Sequence, residues 1–97
     1  MERYKVAVQP TARKDLEGIL HWLSERSRQL AARHGQLLAE GLRSLSTFPL
    51  RCPPVRNAEF AEKGYRYLVV KYYLVFFTVD GDTVTIRRIL DGRSNYL

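Results

Sequence analysis

The sequence predicts a single α+β domain with element order β-α-α-β-β-β, in which a helix hairpin packs on one face of a small, mainly antiparallel sheet. Three observations carry this. Two apolar stripes at helical spacing follow one another between residues 12 and 48. The periodicity changes from helical to alternating after Gly64. Between the last two apolar runs stands Asp80-Gly81-Asp82, and an Asp-Gly pair readily takes the positive φ of a hairpin turn. A chain of 97 residues, 45% hydrophobic and 27% charged, has the length and composition of one globular domain.

The elements follow in order. Residues 3–9 alternate, with Tyr4, Val6 and Val8 on one parity and Arg3, Lys5 and Ala7 on the other, so a half-buried strand is expected. Pro10 stops it, and Thr11 reads as the N-cap of a helix with Asp15 and Glu17 near its positive end. Ala12, Leu16, Ile19, Leu20 and Leu23 form its apolar stripe, and "SERSR" breaks it. A second stripe is expected from Leu30 through Leu37, Leu38, Leu42 and Leu45 to Phe48, ended by Pro49. Gly35 and Gly41 within it permit close packing. Residues 49–63 hold three of the four prolines and read as a loop, with Val55 and Phe60 turned inward. Strands are expected at 65–70, 72–79 and 83–90, pairing as a meander.

The strand "YYLVFFTV" is apolar on both parities, so one aromatic face of the sheet is expected to remain open as a partner surface. In the last strand Arg87 and Arg88 fall on opposite parities. One of them faces the core unless a bulge rotates the strand, and an inward arginine requires an acid, with Asp91, Asp15 and Glu17 as candidates.

The net charge is +6, with 12 arginines against 4 lysines. Such a charge favours an anionic partner without choosing between nucleic acid and protein, and the arginine bias suits bidentate contacts. Cys52 is the only cysteine, so an internal disulfide and a thiolate metal centre are both excluded. It sits between Arg51 and Pro53 with no base beside it in sequence and reads as a passive thiol. The charged start "MERYKVAVQP" lacks the apolar core of a secretion signal, and no apolar run approaches the roughly 20 residues of a membrane span. A cytoplasmic location is expected.

Three stretches together carry a resemblance. "VQPTARKDLEGILHWL" is similar to a strand, Pro-x-Ala and Asp-Leu helix start, "LSTFPLRCPPV" to a helix end with an "FP" turn, and "YRYLVVKYYLVFFTVDGDTVTIRRILDGRSNYL" to three strands ending in Arg-Ile-Leu-x-Gly-Arg. In this order and spacing they resemble the RelE/ParE superfamily, the toxin halves of bacterial type II toxin–antitoxin pairs, over essentially the whole chain. The resemblance implies a compact growth-inhibiting toxin without cofactor or metal, silenced by a cognate antitoxin wrapped across its surface. It implies one of two targets. RelE-like members cut mRNA in the ribosomal A site, and ParE-like members poison DNA gyrase without being nucleases.

Metal-free RNA cleavage needs a base for the 2′-hydroxyl, an acid for the leaving oxygen and positive charge at the phosphorus. Arg66, Arg88 and Arg93 are the candidates for the last role, with Tyr96 as a proton donor. Arg93 matches the superfamily arginine. Tyr73 stands where RelE-like nucleases commonly carry an arginine, and Asp91 where the family has His or Tyr. His21 and His34 fall in the helices, and Glu59 and Glu62 in or beside the loop, where they read as solvated charges. With the acid–base set incomplete, the ParE-like branch is preferred, the ribosome-dependent nuclease is the alternative, and a small RNA-binding module that is not a toxin is a second alternative. For partner binding the candidates are Arg87, Arg93, Tyr73 and Phe77.

Overall fold

The structure, a computed structural model, describes residues 3–93. Strand β1 (Lys5–Val8) leads into helix α1 (Pro10–Ser24), and helix α2 (Arg28–Ser44) returns beside it. A 3-10 turn (Pro49–Arg51) and a short helix α3 (Ala58–Glu62) interrupt the proline-rich segment. Strands β2 (Arg66–Val70), β3 (Tyr73–Asp80) and β4 (Thr83–Asp91) follow. The sheet order is β1-β4-β3-β2, with β1 parallel to β4 and the other pairs antiparallel, so the expected α+β order stands and the sheet is mixed.

Pro10 starts α1 rather than separating it from the strand. It occupies the first helical position, where its missing N–H is an orphan in any residue and its fixed φ suits the helix. Gln9, not Thr11, is the capping residue, and its N–H donates to the Ile86 carbonyl at 3.0 Å, so strand pairing runs directly into the helix. At α2 the hydroxyl of Ser27 accepts the Leu30 N–H at 3.1 Å, which satisfies one of the donors every helix start leaves open.

The apolar stripes of both helices and the inward residues of the sheet make one core, with Leu38, Leu45, Val75, Phe77, Val84 and Ile86 fully buried. Gly41 is what lets α2 approach the sheet. A Cβ there would stand 2.6 Å from Val70 Cγ2. Gly41→Ala is expected to destabilise the fold by about 1 kcal/mol, because the overpacking penalty exceeds alanine's gain in helix propensity. Urea denaturation of the two proteins checks this: equal midpoints would show that the packing penalty only cancels the propensity gain, and a raised midpoint that Val70 yields without cost.

The second stripe is shorter than its sequence pattern. α2 ends at Ser44, four residues before Phe48, and the Phe48 ring lies in solvent. In the following segment Val55 is buried as expected, but Phe60 is exposed, set against Tyr65 with ring centroids 5.2 Å apart. The segment shields the outer edge of β2: the Tyr67 N–H donates to the Pro53 carbonyl (3.2 Å) and the Val55 N–H to that of Tyr65 (3.1 Å). That protects a strand edge from pairing with other chains.

A bulge decides the last strand. Phe76 faces Arg88 while Phe77 faces Ile86, so Arg87 is the additional residue on β4. The inward residues are therefore Val84, Ile86 and Ile89, spaced by two and then by three, and neither arginine points into the core. The expected open aromatic face narrows for a different reason. Phe76 is only 8% exposed, with the Tyr67 ring 6.5 Å away, and Val69 is the large apolar side chain of that face left in solvent.

Candidate functional site

Two adjoining turns build a polar cluster at one end of the sheet. The first is Lys71–Tyr72, which joins β2 to β3 with Lys71 at φ 58. The second is Asp91-Gly92-Arg93, where β4 ends. Gly92 locks them together: its N–H donates to the Tyr72 carbonyl at 2.7 Å, and a Cβ on it would sit 2.9 Å from that oxygen. Glycine in "LDGR" thus answers a close backbone approach.

Arg93 makes a two-point contact with Asp91, Nη2 donating to Oδ2 at 2.7 Å and Nε to Oδ1 at 3.0 Å, while its backbone N–H donates to Oδ1 at 2.9 Å. The guanidinium carbon lies 3.7 Å from the centroid of the Tyr72 ring, in cation–π range. The hydrogen bonds from Arg93 hold the Asp91 carboxyl below its ordinary value, and the same bonds raise the pKa of Arg93. Asp91 is therefore an ionised acceptor that orients the arginine.

Beneath this surface lies a buried pair. The Tyr73 hydroxyl and His34 Nδ1 are 2.7 Å apart, and both residues are 2% exposed. Burial lowers the pKa of His34, and the cations Lys71, Arg33 and Arg93 lower it further, so the ring is neutral. Burial first, then the charge and hydrogen bonding of Tyr72, push the Tyr73 phenol up to about 12. The Tyr72 ring lies against both, 5.7 Å from His34 and 4.9 Å from Tyr73, and so links the buried pair to Arg93.

The other candidate residues lie elsewhere. Arg66 starts β2, at the opposite end from Tyr72, and its Nη1 donates to the Cys52 carbonyl at 2.6 Å. Arg88 forms the acid pair that the sequence called for. Its Nε donates to Asp15 Oδ2 at 2.7 Å and its Nη2 to Oδ1 at 3.2 Å. Arg87 Nε donates to Thr78 Oγ1 at 3.1 Å. The three arginines considered for phosphate chemistry, Arg66, Arg88 and Arg93, are thus engaged on three different partners, the Cys52 carbonyl, Asp15 and Asp91. Tyr73 and Phe77, expected to contact a partner, are 2% and 0% exposed and act as core residues, because the inward parity of β3 includes both. Tyr96 lies outside the described residues.

His21 is exposed beside Glu25 at 3.7 Å, and Glu59 beside Lys63 at 3.9 Å. Cys52 is buried and its thiol is pushed up by that burial, which suppresses the thiolate. Among the described residues no group of three His, Cys, Asp or Glu side chains could hold a metal, and no helix is long and apolar enough to cross a membrane. At the hairpin turn Trp22 is exposed with the Arg26 guanidinium 3.6 Å from its ring centroid, a surface feature that the apolar-stripe reading passed over. The Asp91–Arg93 pair had a visible signal in its i, i+2 spacing around glycine. The His34–Tyr73 pair, 39 residues apart, had none.

A family model described as the ParE toxin of the type II toxin–antitoxin system parDE matches residues 6–96. Among solved structures, the fold is similar to a chain of the chromosomal ParDE toxin–antitoxin system from P. aeruginosa. The TM-score is 0.74 at 22% identity, covering 92% of this chain and 96% of that one. It is also similar to a chain of the toxin–antitoxin complex RelBE2 from Mycobacterium tuberculosis, with a TM-score of 0.66 at 26% identity, covering 92% of this chain and 91% of that one. No curated protein matches the sequence.

Proposed function

Because the chain belongs to the ParE toxin family of type II toxin–antitoxin systems, we propose that it arrests growth by poisoning DNA gyrase in the cytoplasm and is neutralised by a cognate antitoxin. The observation that carries the choice of gyrase over mRNA is the state of the acid–base groups around Arg93. A nuclease needs an accessible base and an accessible acid within reach of one phosphate. The His34 imidazole and the Tyr73 phenol are withdrawn from solvent, and Asp91 is bound by Arg93. A carboxylate so held is a weak base, and a phenol with a pKa of about 12 is a poor acid at neutral pH.

The gyrase reading demands less. It needs a rigid scaffold and exposed side chains. The hairpin turn with Trp22 and Arg26, and the Arg93–Tyr72 stack, offer them. Family membership also displaces the non-toxin RNA-binding module. The nuclease keeps one point in its favour, the 26% identity to a chain of the RelBE2 complex.

The purified protein is expected to block supercoiling of relaxed plasmid by gyrase and to accumulate cleaved DNA. Unaffected supercoiling at saturating toxin would overturn the proposal. mRNA cut on the ribosome, with loss of cutting in Arg93→Ala, would establish the nuclease instead.

A further inference from the structure

The segment between α2 and β2 presents a feature that the fold does not need. Phe48 has φ 46 and ψ 55, left-handed backbone that a residue with a Cβ adopts only at a cost. Its ring is nonetheless 68% exposed, and two residues on, Leu50 is 55% exposed. An aromatic residue in a strained conformation, gaining almost no burial from it, contributes less to this fold than glycine would.

The turn that holds the two side chains out is rigidly braced. Arg51 Nη1 donates to the carbonyls of Thr47 (2.6 Å) and Phe48 (2.9 Å), with that of Ser44 at 3.4 Å, and Nη2 donates to Ser44 Oγ at 3.1 Å. Arg66 Nη1 donates to the Cys52 carbonyl at 2.6 Å, with that of Leu50 at 3.4 Å. Two guanidinium groups thus secure both sides of an apolar knuckle. Among the described residues no carboxylate pairs with Arg51, Arg66 or Arg43 of the last turn of α2. The knuckle therefore stands beside two guanidinium groups held by carbonyls and the Ser44 hydroxyl, with no described carboxylate paired to either.

We propose that Phe48 and Leu50 are the apolar anchor by which an acidic segment of the antitoxin grips this protein, an assignment that rests on the toxin–antitoxin reading above. A partner that brings an apolar pocket flanked by carboxylates would remove both costs at once, burying the exposed side chains and balancing Arg51 and Arg66. Nucleic acid fits less well. Aliphatic Leu50 offers a base nothing to stack on, and phosphate contacts alone would leave both apolar side chains in solvent.

The conformation supplies its own test. Phe48→Gly removes the ring and also relieves the left-handed backbone, so its melting temperature should equal or exceed that of the parent. Calorimetric titration with the purified antitoxin should nonetheless show affinity weakened by about 30-fold or more, the size of an interface hot spot. Leu50→Ser should show the same direction. Antitoxin affinity within about threefold of the parent in both variants would overturn the anchor. Unchanged affinity with lost growth arrest would overturn it too, by moving the knuckle to the target side. A parent protein that binds no antitoxin would instead overturn the toxin–antitoxin reading, and the anchor with it.

Discussion

Asp15→Ala is expected to lower stability by about 3 kcal/mol, more than any other single change outside the apolar core. Asp15 does two things at the unpaired stretch of β4. Beyond Ile86 the strand has lost β1 as a neighbour, because the chain has turned into α1. The Asp15 carboxylate takes the place of the missing strand: Oδ2 accepts the Ile89 N–H at 3.0 Å and, with Oδ1, the Arg88 guanidinium. Its side chain is largely buried, so removal leaves a backbone donor without its acceptor, and the Arg88 pair is lost as well. Arg88 is about half exposed, so its share is discounted for solvent, to about 1 kcal/mol. Asp15→Asn keeps an acceptor for Ile89 and should lose only about 1 kcal/mol. Urea midpoints for Asp15→Ala, Asp15→Asn and Arg88→Ala separate these contributions. Equal losses in the two Asp15 variants would show that the ion pair, not the strand-edge hydrogen bond, is what matters.

Tyr73→Phe is expected to cost about 2 kcal/mol, because it leaves the buried His34 Nδ1 without its partner. Replacing both residues, as Tyr73→Phe with His34→Leu, should recover part of that loss, since an apolar pair asks for no hydrogen bond. The same pair sets a pH dependence. The folded pKa of His34 lies below its unfolded value of 6.5, so in acid the unfolded chain binds the proton more readily. His34 thus contributes stability that is fully present above pH 6.5 and is lost as pH falls from there toward the lowered folded value. Denaturation midpoints measured between pH 5 and 8 should fall with acid in the parent, and this component should be missing from His34→Leu. A parent curve flat across that range would mean that His34 accepts a proton where it stands.

The candidate site was partly legible. Arg93 could be named from its place after "LDG", and so could Gly92, although its reason, the carbonyl of Tyr72 against its Cα, became visible only when the two turns met. Asp91 first read as the loss of a catalytic His or Tyr, and in the fold it is the group that aims Arg93. Tyr73 and Phe77 were read as surface because both parities of their strand are apolar, and parity alone cannot say which one the helices cover.

The sequence by itself determined the order of the elements, the helix hairpin, the inward residues of α1 and the meander around Gly81. Those properties are written in local periodicity and turn chemistry, which each segment carries alone. Tertiary structure decided the bulge at Arg87, the acid that Arg88 meets 73 residues away, the burial of His34 against Tyr73 and the expulsion of Phe48 from the end of its stripe. Each of these depends on which surfaces pack together. That choice follows from the free energy of the whole core, and no single window of sequence contains it.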